Sequence, residues 1–162
     1  LYEILIKDKF RKVNITIDMC RRHPLIASYN RIFSQTVTAY RNKHYDLAAI
    51  GIMSVIDGVL SDIGGDTTTS IFRRANDILR RVEETDSLEN DECAVLALIW
   101  TFRETMESIS ARSDFNGKEP KNLNRHWIMH GRSRRKRTHL DCIKLFNFLY
   151  GILLISELGK EK

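Results

Sequence analysis

The last stretch of the chain constrains the fold more than any other. Apolar residues fall at Leu140, Ile143, Leu145, Phe146, Phe148, Leu149, Ile152, Leu153 and Ile155. At ~100° per residue these positions cover almost the whole circumference of a helix instead of one stripe. A helix that is apolar all round must be buried. Thr138 with Asp141 three residues later is a capping-box start for it, and it is expected to reach Leu158. In a chain of 162 residues, such a helix is expected to pack on one side against its own domain and on the other against a second copy.

The rest of the chain reads as helices that can surround it. Leu1, Leu5, Ile6, Phe10, Val13 and Ile17 have helical spacing up to about Met19, and Pro24 breaks the run. A second helix is expected from Ile26 to Asn42, with Ile26, Tyr29, Ile32, Phe33, Val37 and Tyr40 inward. A third runs from Tyr45 to Ile63 and stops at Gly64-Gly65. Its stripe is Ile52, Ile56, Val59, Leu60 and Ile63, while Asp57 shares a side with Ile50, Met53 and Ser61 and is expected to be partly buried. Thr68 or Thr69 can cap a helix to Val82 that exposes Arg73, Arg74, Arg80 and Arg81. After the polar link Glu83–Asp86, Asn90 or Asp91 starts a helix to Ala111 with Val95, Leu98, Ile99, Phe102, Met106 and Ile109 inward. Gly117 and Pro120 mark 113–122 as a loop.

With only 2 prolines and 8 glycines against 43% hydrophobic residues, the expectation is one all-α helical bundle over residues 1–162, with a buried C-terminal helix. No linker or repeat divides it. The start at Leu1 instead of Met is compatible with a piece of a longer protein. No uninterrupted apolar run reaches the ~18 residues of a membrane span, and no signal peptide is visible. Cys20, Cys93 and Cys142 are odd in number and far apart, with no CxxC pair. That argues against a disulfide framework or zinc knuckle and for a reducing, cytoplasmic compartment.

The chemistry is concentrated in Asn124-Arg125-His126-Trp127-Ile128-Met129-His130-Gly131. Asn122 or Asn124 can cap a short helix here, and Gly131 can end it. A permanent cation stands beside two imidazoles that can exchange protons near neutral pH. Five positive charges follow in the six residues Arg132-Ser133-Arg134-Arg135-Lys136-Arg137, and the net charge is +5. A charge run is ordinarily a solvated loop, but one placed directly after the Arg/His cluster suits an anionic polymer.

Several chemistries fit poorly. His126 and His130 have the i, i+4 spacing of zinc sites, but Trp127 stands where a zinc protease carries its glutamate, and no third ligand is near. There is no Gly-x-Ser-x-Gly elbow, no P-loop lysine after Gly64-Gly65 and no Rossmann fingerprint. No metal or cofactor is expected. RNA cleavage fits better, because RNA carries its own nucleophile. The enzyme must take the 2′-OH proton, stabilise charge at phosphorus and protonate the leaving 5′-oxygen. Histidine and arginine suffice for these steps. Asp57 is expected either as a salt-bridged structural carboxylate or as one that orients Arg125 or a histidine. On an ideal helix Arg125 and His130 lie ~140° apart, so a single chain is expected to hold an incomplete site that a two-fold dimer completes. The bland alternatives are that Arg125 pairs with Asp57, His126 is a surface histidine, and Trp127 is core instead of a stacking platform for a base.

Asn124-Arg125-His126-x-x-x-His130-Gly131, preceded by a helix and loop and followed by a basic turn and an apolar last helix, resembles the HEPN superfamily of all-helical domains. Arg125 matches the family's arginine, His126 the polar position and His130 the histidine. Residues 45–60 also resemble the earlier helix of bacterial and phage HEPN-like proteins. The resemblance is specific in 124–131, loose elsewhere, and covers about the last two thirds of the chain. It implies a homodimeric helical bundle that cleaves RNA without metal to a 2′,3′-cyclic phosphate, in phage defence or as a toxin. Its partners would be RNA and an antitoxin or a larger parent chain. Some family members bind RNA or nucleotides without cleaving. Expected catalytic residues are Arg125, His130 and His126. Asn124 is expected to contact RNA, and so, on charge alone, are Arg132, Arg134, Arg135, Lys136 and Arg137, which lie outside the family signature.

Overall fold

The computed structural model describes residues 11–64, 73, 76, 77, 79, 80, 92–112 and 114–158, the side chains of 92–96 and 158 excepted. Among the described residues six α-helices pack together: α1 Arg11–Arg22, α2 Asn30–Arg41, α3 Tyr45–Gly64, α4 Glu92–Ser110, α5 Arg125–Met129 and α6 His139–Leu158. There is no strand among the described residues. The architecture is the all-α bundle that the composition and periodicity predict.

α6 is the central element and packs against α1, α3 and α4. Cys142, Leu145, Phe146, Leu149 and Ile155 are fully enclosed. Each large side chain so buried contributes about 1.5–3 kcal/mol relative to exposure. Phe33 and Tyr40 of α2 meet the Phe146 ring edge-on at 6.2 and 5.4 Å. Three helices of the same chain enclose α6, leaving a narrow exposed strip at Lys144 and Asn147. The capping box forms as expected: Thr138 N and Oγ1 donate to Asp141 Oδ2 at 2.8 and 2.9 Å, and Asp141 N donates to Thr138 Oγ1.

Other boundaries differ for local reasons. α1 continues three residues past Met19, and its exposed face includes Ile15 and Met19. The second helix is two elements: Pro24–Tyr29 forms a 3-10 turn, and the α-helix starts at Asn30. Pro24 sits in the first turn, and the preceding His23 accepts Leu25 N–H through Nδ1, which starts the tighter helix. Ile32 is exposed, not inward, and Ile50 is exposed as well. α2 approaches α3 closely where Gly51 faces Thr36, and the 3-10 turn does so where Gly58 faces the Tyr29 ring.

By length and mean hydropathy α3 and α6 would also satisfy the requirement for crossing a membrane, because their few charged residues dilute little in an averaged window. In this fold both supply core side chains. Cys20 and Cys142 are buried free thiols, each pushed up to about 12 by burial. Arg73 and Arg80 are exposed, as expected. The readings that concern Leu1–Phe10, Gly65, the Thr68 or Thr69 cap, Arg74, Arg81, Glu83–Asp86, Asn90 or Asp91, Ser113 and the side chains of Cys93 and Val95 lie outside the described residues.

Candidate active site

α5 is one and a half turns long, too short to persist alone, so its ends are fixed from outside. The Asn124 side chain accepts Trp127 N–H at 3.3 Å and donates through Nδ2 to Ala111 O at 2.9 Å. One amide thus caps α5 and ties it to the end of α4. At the other end Gly131 adopts φ +63°, a left-handed conformation that glycine takes without strain. This turn lets Arg132 N and Ser133 N both donate to Trp127 O at 3.0 Å. Trp127 itself is core, with Phe115 edge-on to it at 5.4 Å.

Arg125 points to α3. Its Nε donates to both Asp57 carboxylate oxygens at 2.9 Å, and Nη2 donates to Oδ2. This is the fork geometry in which guanidinium holds a carboxylate. The pairing anticipated for Asp57 forms, and it places a fixed cation at the start of α5. His126 and His130 lie one turn apart with rings nearly parallel, 11° and 5.9 Å between centroids. His130 is exposed and meets the Phe115 edge, while His126 is half-buried. His126 is held below its ordinary pKa, first by burial, then by the Arg125 and His130 charges, with Asp57 partly opposing. Asp57, Arg125, His126 and His130 therefore form one electrostatic cluster. Among the described residues, no group of three His, Cys, Asp or Glu side chains comes together in a way that could hold a metal ion.

The basic run is not a free loop. Arg132, Arg134 and Lys136 are exposed, whereas Ser133, Arg135 and Arg137 turn inward. This is the two-residue alternation of an extended chain. Glu119 organises it, accepting Arg134 N at 2.9 Å, Arg135 N at 3.2 Å, Arg137 Nη2 at 2.9 Å and the Ser133 hydroxyl. Burial alone would raise the Glu119 carboxyl, but these donors and the Arg137 charge outweigh it and hold it low. Asp46 of α3 accepts Arg137 N at 3.0 Å. Arg132 lies over the Phe115 ring, 5.6 Å from its centroid.

The residues expected to contact RNA accordingly separate. Arg132, Arg134 and Lys136 face solvent on the loop that follows α5. Asn124 and Arg137 do not: the first is a buried cap and the second is a buried ion-pair partner. Arg135 is half-buried and bonds Asp141 at 3.3 Å. The physical reason is common to all three. A polar side chain inside a bundle needs a partner, and carboxylates or carbonyls of the fold supply it.

Sequence reasoning missed Glu119 and Phe115. Glu119 carried one legible signal, a lone carboxylate in a loop just before a cationic run. Phe115 carried none, since an aromatic in a loop has no periodicity to betray its partner. Also missed was the buried contact of Tyr40 and His139, whose rings stack at 5.4 Å with the Tyr40 oxygen 2.6 Å from His139 Nε2. Set against family models, curated proteins and solved structures, the chain matches none of them.

Proposed function

We propose that the chain is a metal-independent endoribonuclease of the HEPN type, acting as a two-fold dimer. The observation that supports this most is the cluster itself: Asp57 fixes the Arg125 guanidinium next to His126, and His130 stacks on His126. In the proposed reaction one histidine takes the 2′-OH proton. The 2′-oxygen attacks phosphorus, the bond from phosphorus to the 5′-oxygen breaks, and a second histidine gives that oxygen its proton. The products are a 2′,3′-cyclic phosphate and a 5′-hydroxyl. His126, kept neutral by its surroundings, is suited to the base role. Arg125 offers its remaining Nη1 edge to a non-bridging oxygen, and its charge does not change in the working pH range. A second copy would contribute its own Arg125 and His130, and Arg132, Arg134 and Lys136 would hold flanking phosphates without reading sequence.

One observation favours a second reading, a non-catalytic RNA-binding module. Nε and Nη2 of Arg125 are already spent on Asp57, so a phosphate must be bound beside an ion pair instead of by a free guanidinium. End-labelled RNA incubated with the protein in EDTA separates the two. The nuclease gives cyclic-phosphate ends, and Arg125→Ala, His126→Ala and His130→Ala each slow it by at least ~10²-fold, the scale of acid–base groups. Retained RNA binding with no cleavage by the wild type would establish the second reading. Cleavage by folded variants at the wild-type rate would remove the assignment to this site.

A further inference from the structure

A groove of about 570 Å³ runs between α4 and α6, apart from the residues of the Arg125–His130 cluster. The helices pass antiparallel along it. Gly151 faces Leu98, and one turn on Phe148 stacks with Phe102 at 5.4 Å. From Leu98 to Ser108 the wall extends ~15 Å at 1.5 Å per residue, so the groove is long as well as narrow.

Its character changes along that length. Leu98, Gly151, Phe102 and Phe148 lie toward one end, with Thr101 and Asn147 as their polar neighbours. At the other, Lys144 comes from α6, Lys121 from the loop before α5, and Arg135 from the basic run. Arg135 balances Asp141 through Nη2, and the Asp141 carboxylate is further engaged by Thr138. The buried Nε of Arg135 has no hydrogen-bond partner. The Arg135 side chain as a whole is still 36% exposed and lines the groove, so its guanidinium can meet an anion there. Glu104 is the carboxylate on this wall outside the Arg135–Asp141 pair, against the two lysines. The head end therefore keeps a positive balance. One face of each phenyl ring is taken by the other, so the pair cannot sandwich a planar base. It offers edges that pack an alkyl chain.

We propose that this groove binds a single-chain amphiphilic carboxylate, its acyl chain lying toward Leu98 and Gly151 and its carboxylate held by Arg135, Lys144 and Lys121. A pocket of this volume lies within the usual range for small ligands, and a mostly apolar lining with a few polar groups at one end is the common pattern of such sites. The proposal does not depend on the ribonuclease reading.

Calorimetric titration with decanoate, kept below its micelle concentration, tests it. The expected result is saturable binding of one decanoate per chain and none of decyltrimethylammonium. A Cβ at Gly151 would meet only Leu98 Cδ1, at an ordinary 3.8 Å, so Gly151→Leu can fold while filling the apolar end. It should weaken binding about tenfold or more. Lys144 is exposed, so Lys144→Glu tests the head end even if the first variant fails to fold, and should weaken binding about fivefold. No saturable heat with decanoate, equal binding of the cationic amphiphile, or undiminished binding by both folded variants would overturn the proposal.

Discussion

Arg125 and Asp57, 68 positions apart in sequence, meet in a two-pronged ion pair whose side chains are 24% and 21% exposed. The pair ties the short α5 to the core helix α3. Its partial exposure decides its worth. A surface pair contributes ~0–1 kcal/mol, and breaking a fully buried one costs ~3–5 kcal/mol. This pair stands between those limits.

Arg125→Ala and Asp57→Ala are each expected to destabilise the fold by roughly 1–3 kcal/mol. The double variant should lose less than the sum, with a coupling of about 1–2 kcal/mol. Urea denaturation of the four proteins measures this. A coupling near zero would mean that the pair does not hold α5 to α3.

The two inward histidines make stability depend on pH. His126 is lowered by burial and by Arg125 and His130, and His139 by burial. The Tyr40 phenol is pushed up by burial and keeps its proton, and its oxygen lies 2.6 Å from His139 Nε2, in a hydrogen bond whose direction follows the ring's tautomer. A histidine with a folded pKa below its unfolded one binds fewer protons when folded. Its contribution is full above the ordinary value of 6.5 and is lost as pH falls from there toward the folded pKa. The urea midpoint should therefore drop as pH falls through and below 6.5, with His126→Asn/His139→Gln flattening the dependence. An equally steep dependence in the double variant would place its origin elsewhere.

The contrast between α6 and the basic run shows what was legible in the chain. Burial of α6, its capping box and the Asn124 cap follow from local pattern, because periodicity and caps act within a few residues. Arg132–Arg137 is six residues of nearly uniform chemistry, and no local rule says which point inward. That choice is made by Glu119 and Asp46, distant carboxylates that fold topology alone brings there. The helix start expected at Ile26 differs for a nearer reason, since Pro24 permits a helix but here a 3-10 one. For the candidate site, the residue types were legible and the stacking of His126 on His130 followed from i, i+4 spacing. Arg125 meets Asp57, 68 residues away, the carboxylate expected either to brace the fold or to orient that arginine.

Gly51 of α3 is expected to resist replacement. A Cβ there would overlap Thr36 Oγ1 and lie 3.1 Å from Thr36 Cβ. Alanine ordinarily stabilises a helix interior by up to ~1 kcal/mol over glycine. Here overpacking should win, with a net loss of about 1–3 kcal/mol. Removing the Thr36 hydroxyl and methyl in a Gly51→Ala/Thr36→Ala variant should recover part of it. A thermal melt in which Gly51→Ala is as stable as wild type would show that α2 and α3 can separate at this point.

The alternation in the basic run separates RNA contact from folding. Arg132, Arg134 and Lys136 face outward, and removing one cation that neutralises a phosphate should lower the salt slope of RNA affinity by about one. Replacing all three by glutamine should weaken binding, most at low salt, and leave the melting temperature nearly unchanged. Arg137 behaves oppositely. Its side chain is 3% exposed and pairs with Glu119 at 2.9 Å. Arg137→Gln leaves that carboxylate without its charged partner and should destabilise the fold by about 3 kcal/mol. Its RNA salt slope should stay that of the wild type wherever the protein remains folded. Salt-dependent RNA titrations beside thermal melts decide this. A triple variant with an unchanged slope would return these three side chains to simple solvation, and an Arg137 variant that melts normally but has a shallower slope would reverse the assignment.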